Sequence, residues 1–207
     1  MSIPYALDFT EAPADGWIAV PILEGRGADR QRRKWAKKSA ELHCALVGDG
    51  GPRDKSQEKE LARMLEGFSE QFPQRIPMQH LFAYAPDLRR DLVPFFFYAA
   101  DSQGPVDQAL DTLVQRNEPG AAQDPQIVDF TTDNLGKGLR SIRHFVPKGA
   151  EALCMSVNYG WRVESHGIDL SMRTISDDLG WVSANIEAFD EFARNLKVVD
   201  PSDIVVD

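Results

Sequence analysis

Cysteine is scarce in this chain. Two residues, Cys44 and Cys154, stand far apart in 207, so the sequence supports no disulfide framework. They read as reduced thiols of a cytoplasmic protein. Long apolar runs are missing too. No stretch approaches the ~20 residues that a membrane span requires. The segment MSIPYALDFTEAPADGW carries Asp8 and Glu11 and lacks the basic-then-apolar order of a signal peptide, so no membrane partner is expected.

Catalytic and metal-binding signatures are also lacking. The four histidines, His43, His80, His144 and His166, fall in no H-x-x-x-H or H-E-x-x-H arrangement. His43 beside Cys44 would point about 100° away on a helix, which does not suit a nucleophile and its base. Cys154 and His144 have only a chance of meeting across neighbouring strands. GDGGPRD lacks the ligand spacing of a calcium loop. NLGKGLRS lacks the spacing of a phosphate-binding loop, and neither G-x-S-x-G nor G-x-G-x-x-G occurs. No catalytic residue, cofactor or metal is therefore assigned.

Charge has a clear sign. The formal net charge is −9, which argues against nucleic-acid binding. Against that background DRQRRKWAKK puts six basic residues into positions 30–38. The spacing predicts a helix over 29–46 with Asp29 as N-cap. Trp35, Ser39, Leu42 and Leu46 fall within an arc of about 60°, and this arc is expected to face the protein body. Five of the six basic residues, Arg30, Arg33, Lys34, Lys37 and Lys38, lie on the other side, with Lys34, Lys37 and Lys38 expected in solvent. Arg33, Lys34, Lys37 and Lys38 are candidates for contact with an acidic protein partner.

After VGDGGPR, Asp54 and Gln57 form a capping box for a helix over 54–72. Its apolar stripe is Leu61, Met64, Leu65, Phe68 and Phe72. Pro73 and Pro77 are expected to end it. Residues 1–77 thus read as an irregular segment followed by an αα-hairpin. From residue 78 the period changes to alternation. QHLFAYA and LVPFFFYAA are strands, GPVDQALDTLVQRN is a helix, and QIVDFTT, GLRSIRHFV, EALCMSVNYGWRV and IDLSMRTI are further strands. A long amphipathic helix over 178–196 follows, then an acidic tail over 200–207.

Residues 153–174 are the most informative. Leu153, Met155, Val157, Tyr159, Trp161 and Val163 alternate, and Ile168, Leu170 and Met172 alternate after ESHG. A hairpin closed at 164–167 pairs Val163 with Ile168, Trp161 with Leu170 and Tyr159 with Met172. A one-residue slip would destroy every apolar match. The opposite face pairs Arg162 with Asp169. That polar face, with Arg162, Arg173, Ser156 and Asn158, is expected to be exposed sheet. It is either open or covered by helix 106–116 or the N-terminal hairpin. Arg162 and Arg173 are the remaining candidate partner-binding residues.

The order β-β-α-β-β-β-β-α over 78–199 implies an α+β domain with an antiparallel sheet of about six strands. This order, ending in a hairpin and the helix DDLGWVSANIEAFDEFARNLKVV, resembles the Mog1/PsbP-like proteins. The resemblance implies a binding platform, chiefly of accessory or adaptor type, and transfers no functional residue. The sequence therefore points to a non-enzymatic module that recognises a protein partner. The alternative is a small enzyme or small-ligand-binding protein with a cleft beside the sheet.

Overall fold

The Pro- and Gly-rich opening of the chain holds two short strands where irregular structure was expected. They are β1 (Ala6–Phe9) and β2 (Trp17–Val20). The computed structural model describes residues 5–14, 16–48 and 54–203. The expected loop VGDGGPR and the end of the acidic tail lie largely outside these residues. Helices α1 (Ala28–Val47) and α2 (Lys55–Arg75) follow. Gly27, not Asp29, caps α1; its φ of 92° suits a residue without Cβ. Asp29 sits in the first turn and binds Arg32 Nη1 at 2.8 Å. Asp54 caps α2 as expected, accepting from the backbone N–H of Ser56 and Gln57. Pro73 lies inside the last turns of α2 and does not end it.

The remaining elements are β3 (His80–Tyr84), β4 (Val93–Asp101), α3 (Val106–Leu113), β5 (Gln126–Asp129), β6 (Gly138–Phe145), β7 (Cys154–Val163) and β8 (Ile168–Ser176). The expected long helix is broken into α4 (Leu179–Ala184) and α5 (Ile186–Asn195). Asn185 interrupts it, its amide reaching back to the Trp181 carbonyl at 2.8 Å. β9 (Leu196–Val199) closes the order. The fold is α+β. A seven-stranded sheet runs β2-β3-β4-β8-β7-β6-β5, and β1 and β9 form a separate two-stranded sheet. The sheet exceeds the expected six strands because Trp17–Val20 joins it beside β3.

The chain divides into two compact units, Ala14–Phe96 and Met1–Pro13 with Phe97–Asp207, and the division falls inside β4. In the first unit, α1 and α2 pack over Leu81, Ala83 and Phe96. The seam is made by Ala36, Ala40, Leu61 and Leu65.

In the second unit the β7–β8 register is the expected one. Val163 pairs with Ile168, Trp161 with Leu170, Tyr159 with Met172 and Arg162 with Asp169. Trp161, Tyr159, Leu170 and Met172 are all fully buried. Trp161 stacks on Tyr159 with ring centroids 5.8 Å apart and donates Nε1–H to the Phe130 carbonyl at 3.1 Å. α5 is tied over this apolar face through Asp190. Its carboxylate accepts from Tyr159 Oη and Arg140 Nη1, each at 2.7 Å.

The polar face of the hairpin is not exposed sheet. Ser156 and Asn158 have no accessible surface. The cover is α3. It comes so close to Gly160 that a Cβ there would lie 2.5 Å from Leu113 Cβ. Leu110 and Val114 are buried in that contact.

Candidate functional site

The basic helix is rotated from its expected seat. Its buried residues are Ala28, Arg32, Ala36, Ala40 and His43. Their mean direction lies about 70° around the helix from the predicted arc of Trp35, Ser39, Leu42 and Leu46. Small side chains decide this. A row of alanines lets α1 approach α2 more closely than a row of leucines would. Arg32 enters the seam because Asp29 meets its guanidinium. His43 enters because its Nε2–H donates to the Ala85 carbonyl at 2.7 Å. Trp35 stays half-buried against the core.

The consequence is an uncovered ridge. Leu42 and Leu46 are 57% and 63% exposed. With Arg30, Lys34 and Lys38 they occupy successive positions four residues apart, so the five side chains form one continuous row along α1. Three cations lead into two leucines, and all five are exposed. Lys34, Lys37 and Lys38 form no ion pair with any described residue. Arg33 does: its Nε lies 3.7 Å from Glu66 of α2. Arg33 and Lys37 border an open hollow of about 640 Å³ between the two helices, which Glu41, Glu58 and Glu66 also line.

The other two candidates, Arg162 and Arg173, project from the polar face of the β7–β8 hairpin. Arg162 is committed to structure. It grips Asp169 through Nε (2.6 Å) and Nη2 (2.8 Å), and donates to the carbonyls of Gln103 and Gly104. The hydrogen bonds to Asp169 raise its pKa above the usual arginine value. Arg173 pairs across the sheet with Asn158 and lies under α3. Burial first, and Arg143 second, lower its pKa.

A hollow of about 690 Å³ borders Arg162, Asp107, Asp133, Lys137 and Glu164. Its charges answer one another: Lys137 Nζ meets Asp107 at 2.7 Å. The thiols offer little chemistry. Both cysteines are free, and burial, then Asp177, raises the Cys154 pKa. Cys154 pairs with Phe145 and His144 with Met155, so thiol and imidazole point to opposite faces of the sheet. Among the described residues, no group of three or more His, Cys, Asp or Glu is placed to hold a metal ion. No described helix is long and apolar enough to cross a membrane.

The sequence reading missed Arg143. It pairs across the sheet with Ser156, is 2% exposed, and reaches under α3 with Arg173. The sequence marks GLRSIRHFV only as a strand, and the pairing with Ser156 is what sets Arg143 on the polar face. Cover by helix 106–116 is one of the alternatives the sequence leaves for this face, and nothing local decides among them.

No family model matches the chain, and no curated protein is detectably similar to it.

Proposed function

We propose that this chain is a protein-binding module whose α1 ridge docks an acidic, partly apolar segment of a partner. The observation that carries the reading is the exposure of Leu42 and Leu46 in line with Arg30, Lys34 and Lys38. Two large apolar side chains in one exposed row add desolvation energy to a contact, at roughly 25 cal/mol per Å² buried. Neighbouring lysines without acidic partners supply charge complementarity, which sets specificity and encounter rate. The −9 background makes this row the place where an acidic partner is attracted rather than repelled.

The Mog1/PsbP-like resemblance over 78–199 belongs to the same proposal. The order β3-β4-α3-β5-β6-β7-β8 followed by helix supports a binding platform. A cytoplasmic setting is consistent with two free cysteines.

Capture from native lysate by three forms tests the reading: the unaltered protein, L42S/L46S and K34E/K38E. A partner held by the first and lost from both variants is expected. A partner retained equally by all three would place recognition elsewhere. Because the four positions are exposed, both variants should keep their unfolding free energy within about 0.5 kcal/mol per site.

A further inference from the structure

Among the described residues, a pair of arginines under α3 stands apart from the other buried arginines. Arg32, Arg140 and Arg162 have side chains no more than 17% exposed, and each holds a carboxylate within 2.8 Å: Asp29, Asp190 and Asp169. Arg143 is 2% exposed and Arg173 half-buried, yet neither forms an ion pair with any described residue.

Their hydrogen-bond partners are neutral oxygens, and the Arg143 guanidinium carbon also lies 5.6 Å from the centre of the Phe145 ring. Arg143 donates Nη1–H to Gln115 Oε1 at 2.8 Å and Nη2–H to the Glu118 carbonyl at 3.0 Å. Arg173 reaches only the Leu113 carbonyl, at 3.5 Å. The Nε of each is buried without a partner, as is Asn158 Oδ1 between them. Ser156 lies opposite Arg143 and Asn158 opposite Arg173.

A buried cation without a counter-charge is strongly unfavourable, and proteins resolve this by pairing it. Part of the positive charge serves the end of α3. That helix has no basic residue in its last turn, and Leu113, Val114 and Glu118 turn carbonyls toward Arg173, Ser141 and Arg143. Half-charges at a helix end offset about 0.5 of an elementary charge. Two guanidiniums supply two. Glu118 acts on Arg173 only at longer range.

We infer that Arg143 and Arg173 form a binding site for a small dianionic oxyanion of the phosphate type. The site would be entered past half-buried Arg173, with Ser156 and Asn158 beneath. Both unpartnered Nε–H groups are donors, and a tetrahedral dianion matches two guanidiniums in charge and in number of acceptors. This site is independent of the α1 ridge and of the partner proposed for it.

Isothermal titration of the full chain with inorganic phosphate tests the inference. Total ionic strength is held constant with sodium chloride, and acetate serves as a monoanion control. Saturable binding of one phosphate per chain is expected, at least tenfold weaker in Arg173→Gln. Acetate should bind at least tenfold more weakly than phosphate. No saturable phosphate heat in the unaltered protein would overturn the site, whatever the variants do. Unchanged phosphate binding in Arg173→Gln would place the anion elsewhere, and acetate as strong as phosphate would remove the dianion match. If Arg173→Gln fails to fold, Arg173→Lys keeps the charge and removes the fork. Phosphate affinity should still fall several-fold, and no fall would count against the inference.

Discussion

A single methyl group at position 160 would press into the side chain that seats α3. The Cβ of Gly160→Ala meets Leu113 Cβ at 2.5 Å, well inside contact distance. Overpacking of this kind costs about 1–3 kcal/mol. Urea unfolding should report that loss. Trp161→Ala acts oppositely, by emptying space. The side chain is fully buried and hydrogen-bonded to Phe130, and its loss should cost about 3–5 kcal/mol. A change below 1 kcal/mol would show that Trp161 is not a core residue.

His80 adds a pH dependence. Burial holds its pKa below the ordinary 6.5. The unfolded chain therefore takes up the proton first as pH falls. Stability should decline from about pH 6.5 downward and level off below the folded-state pKa. His80→Gln should flatten the slope of unfolding free energy between pH 7 and 5.5.

At this scale the register of Trp161 was legible because alternation admits one pairing. The burial of Arg32 and His43 was not. Arg32 depends on Asp29, and His43 on the carbonyl of a residue in another element.

Among the elements, α1 teaches most. Ranking its faces by hydrophobicity put Leu42 and Leu46 inside, yet the seam belongs to alanines. Close approach of two helices gains contact along the whole interface, which outweighs burying two leucines at the edge. Leu46→Ser should therefore leave unfolding within about 0.5 kcal/mol. Ala40→Leu, in a position with no accessible surface, should cost about 1–3 kcal/mol. If the leucine change proved the more damaging, α1 would be seated on its predicted arc.

Asp54 was readable from sequence because a cap is a local device. β1 and β9 were not, since four residues carry too little pattern to mark a strand, and each is defined by the other. The break at Asn185 escaped for a related reason. The apolar spacing of Val182, Phe189 and Ala193 continues across it. Only the backbone shows the interruption. Arg143 is one residue of a strand that the sequence does show, but its burial depends on α3 above it, which the strand itself does not encode.

Across the whole molecule, the two-stranded sheet joins positions that the sequence keeps far apart. Ala6 pairs with Val199 and Phe9 with Leu196. Phe9 also packs on Phe192, ring centroids 5.0 Å apart. The residues of Ala14–Phe96, by contrast, form a unit without interruption in sequence. Synthesis runs from the N-terminus, at about 5–20 residues per second. The first strand leaves the ribosome long before the strand that will hold it. Ala14–Phe96 has all its residues early, whereas the other unit waits for Leu196–Val199. The order of manufacture is thus opposite to the order of closure: what is made first is fastened last. A nascent chain arrested before residue 196 should protect α1 and α2 from protease while Ala6–Phe9 remains open to cleavage.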